Sequence, residues 1–176
     1  MTTEHKVIGG IILLTLIIII GGTWLGSKEG AKNAEKLSRQ MLGEKMADEG
    51  AQHVARNATH LAYKSNPPTS GPHWAGTAGP GIKTEEVPDE LILHSMEHGA
   101  AVVWYKNDLP EDDISRIKNA FQSASGKKIM LPRENLDVPV ALTSWGYLLK
   151  LDTIDETKIK EFIETNNDRA PEKAPI

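Results

Sequence analysis

Residues 94–105 read His-Ser-Met-Glu-His-Gly-Ala-Ala-Val-Val-Trp-Tyr, so a histidine pair runs directly into an uninterrupted apolar segment. A short continuous apolar run such as residues 100–105 is consistent with a buried strand. Upstream, residues 66–73 read Asn-Pro-Pro-Thr-Ser-Gly-Pro-His, a stretch in which proline leaves the backbone few conformations. A stiff loop that ends in one histidine and is followed by a histidine pair predicts a functional site.

Further apolar runs predict the other strands of the same domain. They occupy residues 91–93, 128–131 and 138–151, and the last of them is interrupted by Trp145-Gly146. Together with two amphipathic helices, these runs predict a small mixed domain of the α+β class, which we place at residues 50–168.

Two amphipathic helices are predicted between and after these strands. The first begins after Pro110 with acidic residues in its first turn, where they suit the helix dipole. The second begins near Thr153, whose Thr-x-x-Glu spacing to Glu156 is that of a capping box. The polar, proline-containing residues 169–176 predict a flexible tail after this helix.

The composition excludes several classes of function. The 176 residues include 20 Lys and Arg and 24 Asp and Glu, for a net charge of -4. Because no stripe of Lys and Arg is present to neutralise phosphates, we expect no nucleic-acid partner. The chain has no cysteine, which excludes disulfides, thiolate zinc sites, iron–sulfur clusters and cysteine nucleophiles.

One N-terminal segment predicts attachment to a membrane. After a flank of residues 1–6, residues 7–25 carry no charge and include a run of consecutive isoleucines. A helix of this length crosses a hydrocarbon core of about 30 Å. The alternative, a cleaved signal peptide, has a shorter apolar region of about 7–15 residues and then a small-residue cleavage site. Residues 21–25 read Gly-Gly-Thr-Trp-Leu, a poor cleavage site, so we predict an uncleaved single-pass anchor.

The next segment predicts a stalk and bears on membrane orientation. Residues 26–49 are rich in Lys, Glu and Ala without proline, which predicts a helical stalk. Lys6 alone precedes the anchor, whereas Lys28, Lys32 and Lys36 are among the basic residues that follow, and this charge pattern favours a cytoplasmic domain. Long domains are translocated largely regardless of charge, and a single N-terminal anchor most often tethers an exported domain. We therefore predict an extracytoplasmic domain.

The histidine pair matches a known zinc motif. His94, Glu97 and His98 form the string His-x-x-Glu-His of the inverted zinc metallopeptidases. In those enzymes a helix presents both histidines and the glutamate activates water. Gly99 and an apolar run follow at once, which leaves little room for such a helix. The motif is therefore weak support for a peptidase.

An extended backbone over residues 91–98 predicts a different metal site. Side chains alternate along a strand, so His94, Met96 and His98 would share one face, with His73 as a natural third imidazole. Imidazole with thioether suits copper, and imidazole with carboxylate suits zinc. We predict a transition-metal site for copper or zinc with these ligands: His53, His73, His94, Glu97 and His98, with His60 and Met96 as additional candidates.

Two motifs give the chain a family resemblance. The loop of residues 66–73, paired with His-Ser-Met-Glu-His-Gly at residues 94–99, resembles a bacterial family catalogued only as a domain of unknown function, number thirty-one zero five. The resemblance includes residues 50–53 and 141–146. It implies one N-terminal membrane helix followed by this domain, which supports the anchor. The family more often has leucine in place of Met96, which favours the histidines over a thioether, and its name implies no activity.

Three functions are consistent with these observations. The first is non-catalytic binding of a transition metal, for storage, delivery or sensing, by a membrane-anchored domain. The second is a metal-assisted hydrolase with Glu97 as base. The third is a structural or interaction module of an envelope complex that holds no metal, with a membrane or envelope protein as partner. We favour the first function, which requires no reaction.

Overall fold

The computed structural model describes the backbone of residues 3–176, and the side chains of this range except those of residues 3, 4, 6–10, 12 and 29. The chain divides into two compact units, Met1–Gln40 and Met41–Ile176. The second unit contains the predicted site residues and is a mixed α+β domain, which confirms the predicted fold class.

Of the helices and strands described for residues 3–176, the first helix lies in the first unit and the others lie in the second. The helices are α1 (Thr3–Ser38), α2 (Asp89–Glu97), α3 (Glu111–Ser123) and α4 (Glu156–Asn166). The strands are β1 (Glu44–Lys45), β2 (His53–Val54), β3 (His73–Trp74), β4 (Gly81–Ile82), β5 (Ala101–Lys106), β6 (Lys128–Arg133), β7 (Val140–Ser144) and β8 (Tyr147–Leu151).

Helix α1 is shorter than the predicted anchor and stalk together. It ends at Ser38, so the helical stalk predicted for residues 26–49 is wrong beyond that residue. The chain then turns through Gly43, which has φ +93°, and forms β1. A Cβ at Gly43 would lie 2.7 Å from the Leu148 carbonyl oxygen, so only glycine allows this close approach.

The N-terminal segment does not support the predicted anchor. Within the part of the chain whose side chains the structure describes, no helix is both long enough and apolar enough to cross a membrane. The predicted anchor at residues 7–25 includes side chains outside the described set, at residues 7–10 and 12, and the predicted flank includes residues 1 and 2. Membrane attachment therefore stays a prediction from sequence.

Six strands form one mixed sheet in the order β1-β8-β7-β5-β6-β4. Strand β5 pairs in parallel with β6 and antiparallel with β7. A parallel pair needs a crossover connection, and α3 supplies it. Strands β7 and β8 form a hairpin that turns at Trp145-Gly146, as the interrupted apolar run predicts.

The apolar run at residues 100–105 is buried on both faces of the sheet, so the predicted buried strand is confirmed. Val103 belongs to the core beneath α3 and α4, with Phe162. Its neighbour Trp104 belongs to the opposite core, with Ile92 of α2. Since alternate residues of a strand face opposite sides, a strand covered on both faces is apolar at every position.

Helices α3 and α4 confirm the two predicted amphipathic helices, with one correction. The side chain of Asp155 caps α4 and accepts a hydrogen bond from the Lys158 amide at 3.0 Å. The capping box predicted at Thr153 is therefore wrong. Aspartate is as good a capping residue as threonine or better, and Asp155 lies directly before the first helical residue.

The predicted flexible tail is attached to the domain. The Glu172 amide donates to the Glu97 carbonyl at 3.1 Å, and Ile176 packs against the core that contains Trp104. These contacts are inconsistent with a free tail over residues 169–176. Backbone atoms of Glu172, Ala174 and Pro175 make these hydrogen bonds, so the segment can be attached while its polar side chains stay on the surface.

Helix α2 replaces the strand predicted at residues 91–93, and the extended backbone predicted through residue 98 is wrong. The helix follows Pro88 and has two acidic residues in its first turn, where negative charge is favourable. Ile92, Leu93 and Met96 recur at helical spacing and are fully buried. A buried helical stripe and a short buried strand look alike over so few residues.

A glycine-capped turn ends α2. Gly99 has φ +94°, and its amide donates to the Met96 carbonyl at 2.9 Å. The Ala100 amide donates to the Ser95 carbonyl, also at 2.9 Å. These two bonds define a Schellman motif, in which glycine is the preferred residue. Gly99 therefore ends the helix rather than excluding it.

Gly99→Ala is expected to lower the free energy of unfolding by about 2–3 kcal/mol, because positive φ strains a residue with a Cβ. The added Cβ would also lie 2.9 Å from the Cα atom of Asp168. Gly81→Ala is the matched control, since Gly81 has φ +102° with nothing within 4 Å of its Cβ position. Denaturant unfolding of both variants measures the difference, and equal losses would contradict a role for the close approach to Asp168.

Candidate functional site

Two strands of two residues each bring His53 and His73 side by side. Strands β2 and β3 pair in parallel, with His53 opposite His73. The His73 amide donates to the Gln52 carbonyl at 3.0 Å. The loop before His73 is buried over residues 67–71. This packed loop places His73 in the interior of the domain.

Helix α2 presents the other two histidines one turn apart. The Nε2 atoms of His94 and His98 lie 3.0 Å from each other. Met96 is fully buried in the core with Ile92, so the predicted grouping of His94, Met96 and His98 on one face is wrong. Side chains four residues apart share a helix face, whereas Met96 lies two residues from each histidine. Met96 is not available as a ligand.

Glu97, on the same helix as His94, contacts both His53 and His73. Its Oε2 atom lies 2.9 Å from His73 Nε2 and 3.3 Å from His53 Nε2. One donor atom from each of His53, His73, His94 and Glu97 lies within 4.8 Å of all the others. The structure thus brings four predicted site residues together, and His98 adjoins them through His94.

Backbone carbonyls determine which nitrogen carries the proton in three of these rings. The Nδ1 atom of each ring lies 2.7 Å from a carbonyl oxygen. A carbonyl oxygen only accepts, so each Nδ1 donates, and the Nε2 atom of the neutral ring keeps its lone pair. The pairs are His73 with Gly71, His94 with Trp74, and His98 with Pro175.

As a result, hydrogen-bond acceptors face other acceptors in the cluster. His94 Nε2 and His98 Nε2 cannot share a hydrogen bond while both rings are neutral, and His73 Nε2 can donate to the Glu97 carboxylate only if the His73 ring is charged. Glu97 is also 3% exposed and lies in the last turn of α2, where the helix dipole disfavours negative charge. A cation, either an added proton or a metal ion, would satisfy these contacts.

His94 is held in the form that binds metals. Burial lowers the pKa of His94 below its ordinary value, against the opposing effect of the hydrogen bond to the Trp74 carbonyl. The neighbouring imidazoles of His98, His73 and His53 lower this pKa further. A histidine must be neutral to coordinate a metal ion, so these effects favour coordination.

His60 is not brought to the cluster. Its Nδ1 atom donates to the Leu61 carbonyl at 2.8 Å, and its Nε2 atom lies 3.1 Å from Glu90 Oε1. The bond to the Leu61 carbonyl and the contact with Glu90 raise the pKa of His60. Both ring nitrogens of His60 therefore have partners of their own.

Two tail residues contact the site, and the sequence analysis missed both. The carbonyl oxygen of Pro175 accepts from His98, and Glu172 Oε2 lies 3.2 Å from His98 Nε2. No periodicity or motif marks these residues. The only available signal was that Glu172 has a carboxylate, a group that commonly binds metal ions.

The described residues also form a surface cavity of about 400 Å³ that contains none of the clustered residues. It is lined by Glu86, Val87, Pro88, Asp89, Trp104, Pro132, Arg133 and Asn135. Arg133 donates to both carboxylate oxygens of Asp89, at 2.6 Å and 3.0 Å. Because these charges satisfy each other, the cavity is a weaker candidate site than the histidine cluster.

Comparison with protein families identifies one relation. The family model described as Protein of unknown function (DUF3105) matches residues 53–175. This range includes all of the clustered residues, and the match confirms the resemblance to the family numbered thirty-one zero five. Comparison with curated proteins and with solved structures gives no match.

Proposed function

The chain belongs to the DUF3105 family, of unknown function, and we propose that its histidine cluster binds one divalent transition-metal ion. The observation that carries the proposal is the set of three imidazoles whose Nδ1 atoms donate to backbone carbonyls. Histidines that bind metals almost always have the second ring nitrogen held in this way, by a carbonyl, a carboxylate or water. The arrangement directs three Nε2 lone pairs towards the same group of residues.

The donor atoms are close enough for several of them to share one ion, since one donor atom from each of His53, His73, His94 and Glu97 lies within 4.8 Å of the others. His94 Nε2 and His98 Nε2 lie 3.0 Å apart, and His73 Nε2 lies 2.9 Å from Glu97 Oε2. Bonds of about 2.0–2.1 Å to a tetrahedral zinc ion separate adjacent ligands by roughly 3.3 Å. A cation among these atoms would be coordinated by lone pairs that no hydrogen bond occupies.

The chemistry of the donors favours zinc or copper(II). Imidazole nitrogen and carboxylate oxygen suit both ions, whereas copper(I) prefers soft sulfur ligands. The chain has no cysteine, and the sulfur of Met96 is in the core. We therefore propose zinc or copper(II) without a thioether ligand.

Non-catalytic binding is favoured over hydrolysis. A hydrolase of the predicted kind needs Glu97 as a base towards metal-bound water. The Oε2 atom of Glu97 already contacts both His73 and His53, which supports a role as ligand. The side chain of His53 is 44% exposed, so solvent reaches one side of the cluster and an ion can enter there.

The proposal is tested with the full chain, purified in detergent without an affinity histidine tag, stripped of metal, and titrated calorimetrically with Zn²⁺ and Cu²⁺. We expect about one ion per chain. His60→Gln is the control, because His60 is paired with Glu90 outside the cluster, and we expect its titration to match wild type. No binding of either ion would favour the alternative, an interaction module of an envelope complex in which the histidines form a polar network.

We further propose that the chain is attached to a membrane through residues 7–25, with the domain outside the cytoplasm. The support is a helix on which Ile17, Ile18, Ile19 and Ile20 are each more than half exposed, since such a surface needs apolar cover. We expect the chain to stay in the membrane fraction after alkaline carbonate, and protease added to intact spheroplasts to remove the domain. Release by carbonate would contradict the proposal.

A further inference from the structure

We infer that Glu172 is a further ligand of the same ion, presented by a strap of residues 172–176 that also makes His98 a ligand. The inference rests on the proposed function, because it assigns an additional donor to that site. The strap belongs to the segment that the sequence predicts to be a flexible tail.

The strap is held across the end of α2 by three kinds of contact. The Glu172 amide donates to the Glu97 carbonyl at 3.1 Å. The Lys127 ammonium donates to the carbonyls of both Ala174 and His98, at 2.8 Å and 2.9 Å, and so joins strap and helix. Ile176 packs against the apolar core on the same side of the sheet. These contacts fix the backbone of the strap beside the histidine pair.

One strap residue sets the proton position of His98. The Pro175 carbonyl accepts from His98 Nδ1 at 2.7 Å, so the Nε2 atom of the neutral ring has a lone pair. That lone pair faces two other acceptors, His94 Nε2 at 3.0 Å and Glu172 Oε2 at 3.2 Å. With a neutral His98, all three atoms are acceptors, which is the arrangement expected of ligands around a cation.

Glu172 suits this role better than that of a simple partner for a charged His98. In a charged His98, Nε2 carries one hydrogen, which it could donate to either Glu172 or His94. The contact of Nε2 with the other residue would then have no hydrogen of its own. A bound cation satisfies both contacts. The Glu172 side chain is 50% exposed, so it would close the solvent side of the site as a carboxylate ligand, which suits zinc.

Glu172→Gln tests the ligand role, because it removes the charge and keeps the size and the backbone bond to Glu97. Its control is Glu161→Gln, the same change at an exposed position of α4 away from the cluster. In calorimetric titration of the full chain with Zn²⁺, we expect Glu172→Gln to bind at least about 10-fold more weakly than wild type and Glu161→Gln to bind equally well. Unchanged or tighter binding by Glu172→Gln would overturn the inference. Tighter binding is the result expected if Glu172 instead forms an ion pair with His98, because that ion pair would compete with the metal.

Removal of residues 173–176 tests the positioning role of the strap. This change retains Glu172 but removes the Pro175 carbonyl, and we expect a loss of about 10–100-fold in Zn²⁺ affinity. In the copper(II) form, pulsed electron paramagnetic resonance should count one coordinated imidazole fewer than in wild type. An unchanged imidazole count would contradict the role of the strap, whereas failure of wild type itself to bind would contradict the proposed metal site.

Discussion

The variant His94→Ala/His98→Ala is expected to lose ion binding, with a fall of more than about 100-fold in Zn²⁺ affinity. The change removes two neighbouring Nε2 donors that lie 3.0 Å apart. Mutation of a residue that only hydrogen-bonds to a metal ligand already lowers metal affinity about 10–100-fold. Loss of the ligands themselves should lower the affinity further. Of the imidazole ligands, only His53 and His73 would remain.

The matched control is His5→Ala/His60→Ala, which removes the same number of histidines outside the cluster. Calorimetric titration with Zn²⁺ should give wild-type affinity for this control. Circular dichroism of the metal-free proteins should be alike, because the apolar side of α2, formed by Ile92, Leu93 and Met96, is unchanged. Equal binding by both double variants would show that the histidine pair is not part of the metal site.

Metal removal is expected to have the second large effect, on stability. The site joins segments that are far apart in the sequence, with donors at His53, His73 and His94. An ion that binds only the folded chain, at a free concentration 100 times its dissociation constant, adds about 2.7 kcal/mol to the free energy of unfolding. For a domain of this size the midpoint of thermal unfolding should rise by roughly 5–15 °C.

Differential scanning calorimetry of the stripped and zinc-loaded chain measures this shift. His94→Ala/His98→Ala should show no shift at the same zinc concentration. A zinc-dependent rise in that variant equal to the rise in wild type would place the stabilising ion elsewhere. An absence of any rise in wild type would contradict tight binding to the folded domain.

Strands β5 to β8 and helices α3 and α4 could be predicted from periodicity, but the two-residue strands β1 to β4 and helix α2 could not. Residues 100–105 have a continuous apolar pattern that is consistent with a buried strand, and the structure has one there. Residues 91–93 are equally consistent with a strand and with one turn of a buried helix. The decisive signals were local, namely Pro88 with acidic residues at the start and Gly99 at the end, since helices commonly end at such a glycine.

The candidate site was predictable in composition but not in geometry. The stiff loop pointed to His73 and the histidine pair to His94 and His98, and the structure places His73 and His94 in one cluster with His98 beside it. Met96 is excluded as a ligand because α2 is a helix. A residue two positions from both His94 and His98 lies on a different face of that helix. The contribution of Glu172 depends on long-range contacts of the tail, and no local pattern encodes them.

X-ray absorption at the zinc edge of the loaded full chain tests the central claim most directly. We predict a first shell of nitrogen and oxygen at about 2.0–2.1 Å, with the outer-shell scattering of at least three imidazoles. This scattering should fall by two imidazoles or be lost in His94→Ala/His98→Ala loaded with the same amount of zinc. A first shell of oxygen alone in the wild-type chain, without imidazole scattering, would contradict a histidine metal site.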